Sequence, residues 1–230
     1  MIDLHTHILP GMDDGSRSPQ ETATLLAKLR QQRVTTVAAT SHFYARETPA
    51  AFLKRREEAL AKMPPSDRDA LNLLLGAEVA YFSGMGNCED LIPLQIGNTR
   101  FLLVEMPFGD WSERIIEDIC AIPVQLGLIP VLAHINRYTG KQQFPKYKDV
   151  LLESGIYFQC NAEAFLTFRT RRWALNLLAK GYIHFLGSDC HNITSRPPQL
   201  DKANAIIEKK FGTAFLQQFH KNAENLLTRK

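Results

Sequence analysis

Short apolar segments recur along the chain at residues 2–5, 34–40, 71–79, 101–106, 129–134, 156–160 and 183–187, several of them without the alternation of a half-exposed strand. Unbroken apolar runs of this length are the mark of strands buried on both faces, as in a parallel sheet covered by helices. Between them lie segments with helical spacing. Residues 21–32 carry Leu25, Leu26 and Leu29, and Ser18-Pro19 ahead of them reads as a cap followed by a first-turn proline. Residues 112–126 and 165–178 have a similar periodicity. Such alternation implies right-handed crossovers and either an open doubly wound sheet or a closed barrel. Neither the Gly-rich dinucleotide fingerprint nor a Gly-x-x-x-x-Gly-Lys loop is present, so a barrel is expected. No internal repeat or linker interrupts the pattern, and residues 63–66 read as one loop.

With 45% hydrophobic and 22% charged residues, the chain has the composition of one soluble globular domain, residues 1–230. The start, Met1-Ile2-Asp3-Leu4-His5, lacks the features of a signal peptide, and no run of about 18 apolar residues exists, which points to the cytoplasm without membrane insertion. Cys88, Cys120, Cys160 and Cys190 are widely separated and form no Cys-x-x-Cys pair, as expected of reduced, structural thiols. A net charge of +3 gives no case for stable nucleic-acid binding. The clusters Lys54-Arg55-Arg56 and Arg169-Thr170-Arg171-Arg172 read as solvated helix faces, with a docking patch for an acidic or phosphorylated partner as the alternative.

Chemistry-bearing residues fall at the ends of the apolar segments. His5 and His7 end the first, His42 follows the second, Glu78 the third, Glu105 the fourth, His134 the fifth, and Asp189 with His191 the seventh. In a barrel of parallel strands all C-terminal ends meet on one rim, the usual place of an active site. Imidazoles and carboxylates gathered there desolvate and repel one another unless cations compensate them. With Asp14 from the first loop, the set exceeds what a single ion can use, so two or three divalent ions are expected. Mixed nitrogen and oxygen donors without thiolate suit Mn²⁺, Fe²⁺ or Zn²⁺. Cys190, between Asp189 and His191, points away from both in extended backbone and stays outside the set. His184, at the start of the seventh segment, and His220, in a C-terminal helix, belong elsewhere as structural or solvent-facing residues. Taken singly, each position has an ordinary reading: a lone His42 or His134 is usually a hydrogen-bonded core residue, and Glu78 or Glu105 can mark a strand emerging into water. Coincidence at six of the seven segment ends favours the metal site.

These motifs resemble a known family. The opening Met-Ile-Asp-Leu-His-Thr-His-Ile-Leu-Pro-Gly-Met-Asp-Asp-Gly-Ser, with Ala39-Thr40-Ser41-His42, Gly76-Ala77-Glu78, Val104-Glu105-Met106-Pro107-Phe108 and Gly187-Ser188-Asp189-Cys190-His191, is similar to the polymerase and histidinol phosphatase (PHP) superfamily. Within it, the chain resembles, nearly end to end, the bacterial manganese-dependent tyrosine-protein phosphatases found with capsule and exopolysaccharide synthesis systems. The resemblance implies an α/β fold, a distorted seven-stranded (β/α)7 barrel of PHP type, with a trinuclear metal centre. It implies that His5, His7, Glu78 and Asp189 surround one ion, that Glu78 also reaches a second held by Glu105 and His134, and that Asp14, His42 and His191 hold the third. Arg137 and Arg196 match that family's phosphate-binding arginines, a role for which paired guanidinium donors are suited. Ser41 stands where the family commonly has proline, and Ile135-Asn136 where it has Pro-Glu; the ligands are untouched.

The cluster alone points to phosphate-ester hydrolysis by a metal-activated hydroxide. The resemblance narrows the substrate to a phosphotyrosine protein, a membrane-associated tyrosine autokinase. The Cys-x5-Arg spacing of cysteine-based tyrosine phosphatases is met only by Cys190 and Arg196, without glycines to wrap a phosphate and with Asp189 opposing a thiolate, so it reads as accidental. The alternatives are a phosphatase of small metabolites such as histidinol phosphate, a metal-dependent phosphodiesterase or nuclease, an amidohydrolase, and a non-enzymatic metal-binding protein.

Overall fold

The computed structural model describes residues 1–69 and 71–228. Its strands are β1 (Ile2–Thr6), β2 (Thr36–Ala39), β3 (His42–Phe43), β4 (Asn72–Leu75), β5 (Glu78–Ala80), β6 (Phe101–Glu105), β7 (Ile129–Leu132), β8 (Tyr157–Asn161) and β9 (Phe185–Gly187). All their pairings are parallel, in two sheets ordered β1-β2-β4 and β3-β5-β6-β7-β8-β9. The strands curl on themselves. Asp189 N–H donates to His5 O at 2.8 Å and Thr6 bridges Cys190, which brings the stretch after β9 back to β1. Two expected strands, 34–40 and 71–79, are interrupted: β2 stops at Ala39 before β3 begins at His42, and β4 stops at Leu75 before β5 begins at Glu78. His42 and Glu78 then pair in register.

The helix Pro19–Gln31 begins as its sequence suggests, with Ser18 Oγ accepting the Glu21 N–H at 3.2 Å and Pro19 in the first turn. Glu113–Leu126 is capped by Ser112 and ended by the left-handed Gly127. The expected helix 165–178 divides at Thr167 into Glu163–Leu166 and Phe168–Ala179. Residues 63–66 are not wholly a loop, since Pro65 opens a short helix, Pro65–Arg68, at a position where its missing N–H costs nothing. The helices Pro49–Ala61, Phe144–Glu153, Leu200–Phe211 and Thr213–Thr228 complete the cover.

Apolar side chains pack in two layers. Val37, Leu102, Val104, Leu132 and Phe158 face the helices through Leu25, Leu29, Ile119 and Leu151. Their neighbours Ala38, Phe101, Leu103 and Val131 pack with Ile2, Leu4 and Phe185 on the other face, joined by Ala223 and Leu227 of the last helix. The register of β1 against β2 shifts between Asp3 and Thr6. Leu4 therefore packs into this second layer while His5, the very next residue, joins a polar cluster at the strand end. Among the described residues no helix is long and apolar enough to cross a membrane.

Candidate metal centre

The structure brings all nine expected ligands and both arginines into one connected network. His5 Nε2 lies 3.1 Å from Glu78 Oε2 and 3.6 Å from Asp189 Oδ1; His7 Nε2 lies 3.3 and 3.5 Å from the same two oxygens. His42 reaches Glu78 Oε2 through Nδ1 (3.0 Å) and Asp14 Oδ1 through Nε2 (3.5 Å), and His191 Nε2 lies 3.3 Å from that same Asp14 oxygen. His134 Nε2 sits between Glu78 Oε1 (2.9 Å) and Glu105 Oε1 (3.3 Å). Arg137 and Arg196 approach Asp189 Oδ2 at 2.6 and 2.8 Å. His184 and His220 stand apart, yet neither simply faces solvent: His184 Nδ1 accepts the Phe158 N–H, and His220 Nε2 is 3.2 Å from Asn204 Oδ1.

Three sets of donor atoms each converge closely enough for one ion: His7, Asp14, His42 and His191; His5, His7 and Asp189; His42, Glu78 and Glu105. The grouping is more shared than the one the resemblance implies, because His7 and His42 each serve two sets. Two features test whether cations fit. His42 Nδ1 and His191 Nε2 are buried and face carboxylate oxygens at 3.0 and 3.3 Å without hydrogen-bond geometry. A buried polar atom left so costs about 1–3 kcal/mol, which a shared cation would remove. Charge balance gives the second. Burial acts to raise the Glu78 and Asp189 pKa values, but His5 with His134 and His42 outweighs it at Glu78, and His5 with His7 and Arg137 at Asp189, holding both well below the carboxylate range. Burial likewise acts to lower that of His7, but Asp13, Asp189 and Glu78 raise it well above an ordinary imidazole. Protons on imidazoles thus offset buried carboxylates here, a task divalent ions perform while leaving the nitrogens free to coordinate. The nitrogen and oxygen donor set, without sulfur, fits such ions.

Sequence reasoning missed the residues that hold the candidate ligands. Asp13 Oδ2 accepts from His7 Nδ1 (2.8 Å) and from the His42 N–H (2.9 Å). Gln159 Oε1 lies 3.2 Å from His5 Nδ1 and accepts the His134 N–H at 2.7 Å; its amide donates to Asn161 Oδ1, and Asn161 Nδ2 to Asp189 Oδ2. Thus β8, whose expected segment carried no ligand, supplies the amides that orient those of its neighbours. A side chain at Gly187 would place its Cβ 2.7 Å from His5 Cβ and 2.6 Å from Gln159 Nε2, so that crossing needs glycine. His134 and Asp189 hold left-handed backbone, with φ 33° and 52°, strain of the kind that gathers at functional sites.

Cys190 is buried among apolar groups. Burial, Asp3 and Asp189 all push its thiol pKa up, which denies it a thiolate. The basic clusters are more than solvated faces. Arg55 donates to Met12 O at 2.8 Å and pairs with Glu47, borders a cleft with Asp14, His42 and Tyr44, and so ties its helix to the first loop. Arg171 donates to Phe165 O and Leu166 O, bracing the break between two helices.

A curled parallel α/β fold with a histidine and carboxylate cluster across its strand ends defines a metallohydrolase-like protein. Residues 1–228 match the family described as capsular polysaccharide synthesis, CpsB/CapC, and the chain belongs to that family. It is 31% identical to the tyrosine-protein phosphatase CpsB of Streptococcus pneumoniae, across 92% of this chain and 91% of that one. It is 30% identical to the tyrosine-protein phosphatase YwqE of Bacillus subtilis, across 99% and 91%. Among solved structures it is similar to one from work on YwqE of Bacillus subtilis and CpsB of Streptococcus pneumoniae, described as unique metal-dependent tyrosine phosphatases, with a TM-score of 0.81 at 27% identity, covering 99% and 94% of the two chains. A mutant organophosphorus hydrolase, 13% identical with a TM-score of 0.55 over 98% and 92%, shares the fold alone.

Proposed function

We propose that this chain is a metal-dependent tyrosine-protein phosphatase in which residues 1–230 act as one domain and His5, His7, Asp14, His42, Glu78, Glu105, His134, Asp189 and His191 hold two or three ions, with manganese the expected metal. The nine strand segments count, in this reading, as seven strands of a distorted barrel, two of them broken before His42 and Glu78. The observation that carries the proposal is the meeting of Arg137 and Arg196 on Asp189 beside the histidine cluster. Two guanidinium groups at that place suit a phosphate dianion.

When bound, the ions supply Lewis acidity toward phosphoryl oxygens and a hydroxide nucleophile near neutral pH. The chain does the rest. Arg137 and Arg196 orient the phosphoryl group and stabilise the charge that builds on it in the transition state. Tyrosine leaves as a phenolate whose conjugate acid has a pKa of about 10, so little proton donation is required. The family description and its relatives' names support a substrate in capsule synthesis, which we take to be the phosphotyrosines of a membrane-associated autokinase met from the cytoplasm.

The test is turnover of a phosphotyrosine peptide, a phosphoserine peptide and histidinol phosphate by manganese-loaded protein, by chelated protein and by Cys190→Ser. Preference for phosphotyrosine, loss on chelation and retention in Cys190→Ser are expected. Preference for histidinol phosphate would replace the substrate, and activity that survives chelation but dies with Cys190 would replace the mechanism.

A further inference from the structure

Most large apolar side chains here are buried, but Phe108 is 61% exposed and Tyr44 37% exposed, and both stand over candidate ligands. The Phe108 ring lies nearly parallel to that of His134, 10° between planes and 6.3 Å between centroids. Tyr44 stacks on His42 at 5.5 Å and 28°, with the Arg46 guanidinium 5.0 Å over its ring. His42 and His134 reach the two oxygens of a single carboxylate, Glu78, at 3.0 and 2.9 Å. The exposed rings therefore border one stretch of the site, whereas the arginines gather at Asp189.

Phe108 keeps most of its ring in water although its loop is pinned. Gln143 Nε2 donates to Phe108 O and Gly109 O at 2.6 and 3.0 Å, and Trp111 Nε1 to Pro107 O at 2.9 Å. A ring presented outward on a fixed loop is preorganised to receive another apolar surface.

We propose that Phe108 and Tyr44 form an aromatic rim that takes the aryl ring of the substrate while its phosphate lies toward the arginines, so that this site selects aryl over alkyl phosphate monoesters. The inference rests on the phosphatase reading and adds to it the residues that choose the ester. Aromatic pairing of this kind corresponds to about a two- to tenfold preference per ring.

The rim is tested with non-hydrolysable probes. Manganese-loaded parent protein, Phe108→Ala, Tyr44→Ala and the conservative Phe108→Tyr and Tyr44→Phe are titrated calorimetrically with phenylphosphonate and methylphosphonate, beside kcat and KM for the phosphotyrosine peptide. Both alanine variants should bind phenylphosphonate about two- to tenfold more weakly, hold methylphosphonate as before, and raise KM with kcat kept; both conservative variants should match the parent. Equal loss for the two phosphonates, or no loss for either, would overturn the rim and leave the phosphatase standing. A parent that binds neither phosphonate and cleaves no phosphotyrosine would fail the phosphatase reading and the rim with it.

Discussion

Arg137 donates to Asp189 Oδ2 at 2.6 Å, while Oδ1 of the same carboxylate faces His5, His7 and His191 at 3.5–3.6 Å. One side chain thus divides its two oxygens between the clustered histidines and the arginines. Asn161 and Arg196 approach Oδ2 as well, so Arg137 is not needed merely to satisfy it.

Arg137→Lys keeps the charge but loses the planar fork. With manganese content unchanged, kcat/KM for a phosphotyrosine peptide should fall by on the order of 10²-fold. A fall of less than about threefold would reduce Arg137 to a counter-charge for Asp189.

Gln159→Leu, close in volume, removes the acceptor shared by His5 Nδ1 and the His134 N–H. Loss of such an orienting partner typically weakens a metal site about 10- to 100-fold, and a manganese titration of the apoprotein should show it. An unchanged affinity would mean that packing alone fixes the His5 imidazole and the His134 backbone.

The candidate site was legible where chemistry and strand period coincide. His5, Glu105 and Asp189 are ionisable residues closing apolar runs, and a parallel barrel forces such ends together. Gln159 and Asn161 were illegible for the converse reason, being neutral amides inside a strand with no charge to mark them. The breaks between β2 and β3 and between β4 and β5 lie within runs that stay apolar or small throughout, so nothing in the period announces them. Asp13 and Asp14 are adjacent and alike in sequence; only the fold turns the first inward to His7 Nδ1 and leaves the second 64% exposed beside His42 and His191.

That difference makes Asp13 a test of its own. Its Oδ2 holds His7 and the His42 backbone together, and its Oδ1 accepts the Gly15 N–H at 3.0 Å. Asp13→Asn keeps the shape and removes the charge, so His7 becomes a poorer donor. The manganese concentration giving half-maximal activity should rise about tenfold or more. An unchanged metal requirement would assign Asp13 to loop shape only.

On the opposite rim, His184 should shape the pH dependence of stability. Its Nδ1 accepts the Phe158 N–H at 3.1 Å, and its ring packs edge-on to Tyr157 at 4.7 Å. Burial lowers its pKa to about 4. Between that value and an ordinary unfolded value of about 6.5, the unfolded chain carries the extra proton, so stability rises with pH through this window. The contribution, up to about 3 kcal/mol, is fully present above pH 6.5 and is lost as pH falls toward 4, where protonated Nδ1 can no longer accept from β8. His184→Gln should flatten the fall in urea midpoint between about pH 6.5 and 4.5 relative to the parent, both measured with chelator so that the metal site contributes alike. Parallel curves for the two proteins would show that His184 does not titrate on unfolding in this range.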